Sequence, residues 1–255
     1  MQQDLFSIDE KVIIITGGGR GIGRELAIAL ASRGAIVHCI DIAFPNPVQN
    51  DLTHNIFDNN CDITNVLQFK TICKEIFEKH GKIDTLINNA GVTFTQEDVK
   101  NYPKDQWDRT ININLTSAFS CSEAVFEYLV KCNGGSIINI TSLNAERAFP
   151  NNPAYVASKG GLRMLGKALA RDWGIFGIRV NNLAPGYIIT DMTKKSYSDE
   201  ETRKLRQSNI MLNRWGTMRD LVGPCIFLIS DASLYITGQD IYVDGGWMAN
   251  GLQRA

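Results

Sequence analysis

The chain is poor in the residues that build metal centres and cross-links. Its three histidines (His38, His54 and His80) are scattered without ligand spacing, so no structural metal site is expected. Its six cysteines (Cys39, Cys61, Cys73, Cys121, Cys132 and Cys225) contain no CxxC pair. Several lie in apolar stretches, where cysteine serves as a small core residue, and all are read as reduced thiols. An excess of charge of either sign is also missing. The 26 Lys and Arg against 27 Asp and Glu give a net charge of −1, which removes any general attraction for nucleic acid or an anionic membrane. No apolar run approaches the roughly 20 residues that span a bilayer. The amino terminus MQQDLFSIDEK has neither the basic start nor the apolar stretch of a signal peptide, so a cytoplasmic setting is expected. There is no Pro/Gly/Ser-rich linker, internal repeat or low-complexity tract to divide the 255 residues, and one domain over 1–255 is expected.

What is present is an ordinary globular composition, 44% apolar and 21% charged, with ample material for a core. Strand and helix patterns alternate. A β-branched run at 12–16 suits a parallel strand buried on both faces. A glycine turn follows at 17–23, then an amphipathic stretch at 24–32 that Gly34 closes. Further strands are expected at 36–41, 56–62, 85–88, 135–142, 178–183 and 240–243. Helices are expected at 65–79, 104–131, 153–176 and 218–230. The stretch 190–209 is polar and highly charged, which suggests a mobile surface insertion. Alternation of this kind predicts an α/β fold: a single doubly wound, Rossmann-type parallel sheet of about seven strands with helices on both faces.

The run Thr16-Gly17-Gly18-Gly19-Arg20-Gly21-Ile22-Gly23 lies between the first strand and first helix. There a chain must turn tightly, and a helix amino terminus can offer free N–H groups to a pyrophosphate. Its spacing is GxxxGxG, not GxGxxG. Asp41 ends the second strand, where a carboxylate accepts hydrogen bonds from ribose hydroxyls and repels a 2′-phosphate. That favours NAD over NADP, although Arg20 in the turn pulls the other way. The loop at 44–50, rich in Pro and Asn, lies within this nucleotide-binding half. Elsewhere, Tyr155 and Lys159 stand four apart on one predicted helix, a spacing that places both on one face. A nearby positive charge lowers a tyrosine pKa from about 10, which would let the phenol exchange a proton with an alcohol or carbonyl near neutral pH. Ser142 lies thirteen residues upstream at a strand end.

These pieces together resemble the short-chain dehydrogenase/reductase family almost end to end. The match comprises the TGGGRGIG turn, Asn88-Asn89-Ala90-Gly91, Asn114 before Leu115, Ser142, Tyr155-x-x-x-Lys159, and Pro185-Gly186 with Thr190. The short length resembles the simple one-domain branch. The resemblance implies that Tyr155 is the general acid/base and that Lys159 lowers its pKa and binds the nicotinamide ribose. Ser142 would polarise the substrate oxygen, and Asn114 would anchor a water that links Lys159 to solvent; Asn112 ranks below it. It implies cofactor contacts from Gly17, Arg20, Gly21, Ile22, Gly23 and Asp41. Asp62 and Ile63 would flank the adenine, and Asn89, Ala90 and Gly91 would pass its ribose, with Asn88 structural. Pro185, Gly186, Ile188 and Thr190 would meet the nicotinamide. A homotetramer is the family expectation, with contact faces on the helices at 104–131 and 153–176.

The carboxy-terminal stretches Asn213-Arg214-Trp215-Gly216 and Val243-Asp244-Gly245-Gly246-Trp247, with the start Asp4-Leu5-Phe6-Ser7-Ile8, resemble the family's sugar-acid and polyol dehydrogenases, gluconate 5-dehydrogenases and 2-deoxygluconate 3-dehydrogenases among them. Trp215 and Trp247 are read first as packing residues. Asn144, Arg147 and Asn152, with Ser142 and Tyr155, are expected to line a polar substrate pocket, and 190–209 to close over it as a lid. The expected activity is NAD-dependent hydride transfer at a C–OH/C=O centre of a polyol, sugar or sugar acid. Two alternatives stand beside it: a 3-oxoacyl carrier-protein reductase or other NADPH ketone reductase, and an NAD(H)-binding redox regulator without turnover.

Overall fold

The computed structural model describes residues 4–45 and 55–251. His54 and most of the loop at 44–50 lie outside the described residues. Seven parallel strands form one sheet in the order β3-β2-β1-β4-β5-β6-β7. They are β1 (Val12–Thr16), β2 (Ile36–Asp41), β3 (Ile56–Asn60), β4 (Thr85–Asn88), β5 (Gly135–Ile140), β6 (Ile178–Pro185) and β7 (Asp240–Val243). The helices are α1 (Gly21–Ala31), α2 (Val66–His80), α3 (Lys104–Ile111), α4 (Ser117–Lys131), α5 (Pro153–Trp173), α6 (Lys194–Ser198), α7 (Glu200–Gln207) and α8 (Val222–Ile229). No helix among the described residues is long and apolar enough to cross a membrane.

Side-chain alternation along the buried strands builds a core on each face. Val12 and Ile14 join Leu86 and Ile137 on one face, under Phe69 and Cys73 of α2 and Val125 and Leu129 of α4. Ile13 and Ile15 join Ile87 and Ile138 on the other, under Leu26 and Leu30 of α1 and Cys225 and Ile229 of α8. Five cysteines are buried and all six are free thiols. Burial raises the thiols of Cys39, Cys73 and Cys225 to about 12, which suits packing residues and not nucleophiles.

Two departures from the sequence pattern matter for the site. Helix α1 begins at Gly21, inside the glycine turn, because Gly21 takes a positive φ of 58° and lets the chain enter the helix directly. The long helix expected over 104–131 is interrupted: residues Asn112–Thr116 form a π-helical turn between α3 and α4. The extra residue in that turn rotates Asn114 inward, where it is buried.

Candidate active site

In an open parallel sheet, the groups that do chemistry gather beyond the carboxyl ends of the strands, near the point where strand order reverses. Here the reversal falls between β1 and β4. The glycine turn leaves β1 at that point, and Asn89, Ala90 and Gly91 follow β4. Thr16 joins the two: its hydroxyl accepts from the backbone N–H groups of Asn89 (3.0 Å) and Ala90 (3.2 Å). The Asn89 amide donates to the carbonyls of Thr16 (2.9 Å) and Gly17 (3.0 Å). Asn89 therefore fastens the turn with its side chain and does not hold it free for a ligand.

Backbone crowding explains the glycines. A Cβ on Gly23 would lie 2.2 Å from the Gly17 carbonyl oxygen, and one on Gly19 would lie 2.1 Å from that of Ala43. At Gly21 no atom would meet it within 4 Å, so the chain has open space there. Helix α1 has no side-chain cap at Arg20 and no acidic residue in its first turn. Its first N–H groups are thus left for an anion, the arrangement that fits a dinucleotide pyrophosphate. Asp41 stands beside them. Its Oδ2 accepts from Gly19 N (2.9 Å) and its Oδ1 from Ile42 N (2.7 Å), so the carboxylate caps the following turn and is fixed in place with lone pairs to spare. Arg20 is exposed. Asp62 Oδ1 accepts from Thr64 N and Oγ1, and Ile63 is buried against the core beneath α2.

Across the switch point, four side chains expected from the sequence come together. Ser142 follows β5 and starts a short 3-10 turn, its Oγ accepting from Asn144 N at 3.2 Å. Tyr155 and Lys159 lie one turn apart on α5, with Lys159 Nζ 5.7 Å from the Tyr155 ring centroid. Lys159 is buried and donates to the carbonyl of Ile140, the last residue of β5, at 2.7 Å. Asn114 accepts from Val92 N (2.8 Å) and donates to Val92 O (2.9 Å) and Ser158 Oγ (3.1 Å). A Cβ on Gly91 would meet Asn114 Oδ1 at 3.4 Å and Lys159 Nζ at 3.6 Å, so a glycine leaves the most room between them and the β4 loop.

The electrostatics differ from the sequence expectation. Burial pushes the Tyr155 phenol above its usual value, with the neighbouring Ser142 hydroxyl acting more weakly in the opposite direction. Lys159 is itself lowered to about 8 by burial. An amine so lowered, one helical turn from a phenol that neighbours a serine hydroxyl, brings groups able to exchange protons into one site.

Of the remaining expected residues, Ile188 is buried in the core and bridges Gly216, while Thr190 is tied to Thr193 at 2.9 Å. Pro185 ends β6, and Gly186 lies so close to Asp244 that a Cβ would meet its Cα at 2.6 Å. Asn152 is buried, its amide donating to Thr93 Oγ1 and its Oδ1 lacking a partner among the described residues. Arg147 is exposed. Asn88 is structural, as expected, and heads a buried ladder that the sequence did not disclose. Its amide donates to Asn139 Oδ1 (2.9 Å), Asn139 donates to Asn182 Oδ1 (3.1 Å), and Asn182 donates to Asp240 Oδ1 (2.8 Å). The four are partners in register across β4–β7. Also unforeseen is an aromatic wall in which Tyr187 meets Phe149, Trp215 and Trp247. Its position just past Pro185-Gly186 was the one available signal.

Known proteins resemble the chain along nearly its whole length and in its fold. The family model described as enoyl-(acyl carrier protein) reductase matches residues 17–248. The chain is similar to the 2-dehydro-3-deoxy-D-gluconate 5-dehydrogenase of Dickeya dadantii, 34% identical over 96% of this chain and 98% of that one. It is 35% identical to the 3-oxoacyl-[acyl-carrier-protein] reductase of Thermotoga maritima, over 94% and 98%. The solved gluconate 5-dehydrogenase of Burkholderia cenocepacia, in complex with NADP and tartrate, superposes with a TM-score of 0.88 at 32% identity, covering 96% of this chain and 98% of that one. With the glycine turn, the Ser142–Tyr155–Lys159 grouping and end-to-end similarity all in hand, the chain belongs to the short-chain dehydrogenase/reductase family of NAD(P)-binding oxidoreductases.

Proposed function

We propose that the protein oxidises and reduces a C–OH/C=O centre of a small sugar acid or polyol, with NAD(H) preferred over NADP(H). The observation that carries the reaction type is the convergence of Ser142, Tyr155, Lys159 and Asn114 at the strand ends. The sugar-acid class rests on the two relatives named for gluconate derivatives. A bound dinucleotide supplies the hydride acceptor or donor, held by Gly17, Arg20, Gly21, Ile22, Gly23, Asp41, Asp62, Ile63, Asn89, Ala90, Gly91, Tyr155, Lys159, Pro185, Gly186, Ile188 and Thr190.

Tyr155 exchanges the proton at the substrate oxygen, and Ser142 donates to that oxygen as negative charge develops on it. Lys159, charged below pH about 8, keeps a positive charge one helical turn from the phenol. Asn114, fixed by the Val92 backbone, would anchor a water that links Lys159 to solvent. Asn144 and Asn152 accept from and donate to substrate hydroxyls, and Arg147 meets the substrate's outer end. The segment 190–209 closes over it. One catalytic domain, assembled as a cytoplasmic homotetramer through the helices at 104–131 and 153–176, completes the reading.

The NAD preference is supported by Asp41, a carboxylate at the end of β2 held by Gly19 N, because a carboxylate at a strand end of this kind accepts from ribose hydroxyls and disfavours a 2′-phosphate. The NADP found with the Burkholderia enzyme and the exposed Arg20 weigh on the other side. A second reading, an NADPH-dependent 3-oxoacyl carrier-protein reductase, is favoured by the Thermotoga relative. Initial rates over sugar acids, polyols and 3-oxoacyl thioesters with each dinucleotide separate the two. Six-carbon sugar acids with NAD are expected to be turned over fastest. Faster reduction of the thioesters with NADPH would establish the second reading, and tight dinucleotide binding without turnover of anything would leave a redox regulator.

A further inference from the structure

The cations of the lid segment are not equivalent. Lys204 is paired with Glu200 at 2.7 Å. Arg203 donates to the Tyr197 carbonyl at 3.2 Å and lies over the Tyr197 ring. Lys194 and Lys195 are exposed. Arg206 alone combines partial burial with an uncommitted head. Its guanidinium sits 5.0 Å from the centroid of the Tyr187 ring and has no hydrogen bond or ion pair among the described residues.

Tyr187 stands where the lid meets the substrate side. It lies two residues past Pro185 at the end of β6, and its ring packs edge-on against Phe149 at 6.1 Å. Phe149 belongs to the loop between Ser142 and Tyr155. Trp215, at 5.1 Å from Tyr187, in turn meets Tyr197 of the lid at 5.3 Å. The ring under Arg206 therefore connects the lid to the loop that carries Ser142.

Stacking occupies the face of a guanidinium and leaves its in-plane N–H donors free. Five donors held partly out of water, with no protein acceptor among the described residues, are matched by a planar anion that takes two of them at once. Beside them, the apolar faces of Tyr187 and Trp247 suit the C–H side of a polyhydroxy chain. Arg147, exposed and unstacked, has neither feature.

We propose that Arg206, stacked on Tyr187, binds the carboxylate of the substrate and selects sugar acids over neutral polyols. This inference rests on the sugar-acid reading above. It is tested by measuring kcat/KM for D-gluconate, 2-dehydro-3-deoxy-D-gluconate and sorbitol in the wild-type enzyme and in Arg206→Met and Arg206→Gln variants, with NADH affinity as the measure of intact fold. Loss of a bidentate charged contact is expected to lower kcat/KM for the acid about 100-fold, chiefly through KM. Turnover of sorbitol and NADH affinity should change less than about threefold, since neither uses the contact. Arg206→Lys, which keeps the charge without the fork, should fall between. A variant that handles the acid as well as the wild type, or loses acid and polyol activity equally, overturns the assignment and leaves the sugar-acid reading standing. A wild-type enzyme inactive on both acids overturns that reading and this assignment with it.

Discussion

The two sides of the cleft are built differently. On the strand-end side most polar groups have a partner within the protein, with Asn88 Oδ1 an exception among the described residues. Lys159 is bonded to Ile140, Asn114 to Val92 and Ser158, and Asn139 and Asn182 to their neighbours in the ladder. Around the rim two groups stand apart: among the described residues the Arg206 guanidinium lacks any polar partner, as does Asn152 Oδ1. Buried polar groups with all their bonds made are rigid, and reorganise little when charge develops beside them. Groups without partners are held for a molecule that arrives later. The first kind of construction fixes reaction type, and the second selects which substrate undergoes it.

The sharpest way to break this contrast is Tyr155→Phe, which removes one hydroxyl from the committed side. Turnover should fall by about 10³- to 10⁴-fold, the upper range for loss of a general acid/base. Dinucleotide affinity, measured by fluorescence titration, should stay within a few-fold. Near-normal turnover in the Tyr155→Phe variant would place the proton transfer elsewhere.

Next in size is a pH effect at Lys159. Burial lowers its pKa from 10.5 to about 8, so the unfolded chain binds the extra proton more readily between those values. Stability carried by this residue therefore rises as pH climbs from about 8 towards 10.5, and the full penalty of burying the charge is present below pH 8. Lys159→Met removes that penalty and also leaves the Ile140 carbonyl without its donor. The stability of the variant minus that of the wild type should accordingly be more favourable at pH 7 than at pH 10, by up to about 3 kcal/mol. Chemical denaturation at the two pH values measures it. A difference that does not change with pH would mean that Lys159 keeps its ordinary pKa when buried.

The sequence was most legible where spacing along one element determines the geometry. Gly23 is required by crowding against Gly17 within a single turn, and Tyr155 and Lys159 share a face because they are one helical turn apart. What stayed hidden depends on contacts between distant segments. The Asn88–Asn139–Asn182–Asp240 ladder exists only because four strands pair in one register, which no spacing along the chain reveals. The π-helical turn at Asn112–Thr116 looks like unbroken helix in the residue pattern. The direction of the Tyr155 shift runs against the sequence expectation for a related reason: charge at a spacing of four is readable, whereas desolvation is a property of the packed site. Among the arginines, chain position favours Arg147, near Ser142, whereas partial burial over an aromatic ring without a polar partner among the described residues singles out Arg206.

The ladder leads to a smaller effect whose sign is the test. Glycine inside a helix is ordinarily a weak point, and replacing it with alanine stabilises by about 0.5–1 kcal/mol. Gly160, inside α5 with only the Ala145 carbonyl oxygen at 3.8 Å from an added Cβ, should behave that way. Gly166, in the middle of α5, should do the reverse. A Cβ there would lie 2.4 Å from Asn182 Oδ1 and 2.9 Å from Asn139 Nδ2, so alanine must push α5 away or break the ladder's central bond. Either response lowers stability, by about 1–3 kcal/mol for overpacking of a tight core. At this chain length that amounts to a melting temperature lower by roughly 2–4 °C per kcal/mol. Because α5 also carries Tyr155 and Lys159, the displaced helix should reduce kcat while leaving the acid-over-polyol selectivity of the rim unchanged. If Gly166→Ala stabilised the protein as Gly160→Ala does, the strand-end side would be looser than its bonding implies, and the contrast between a fixed interior and a rim kept open for substrate would fail there.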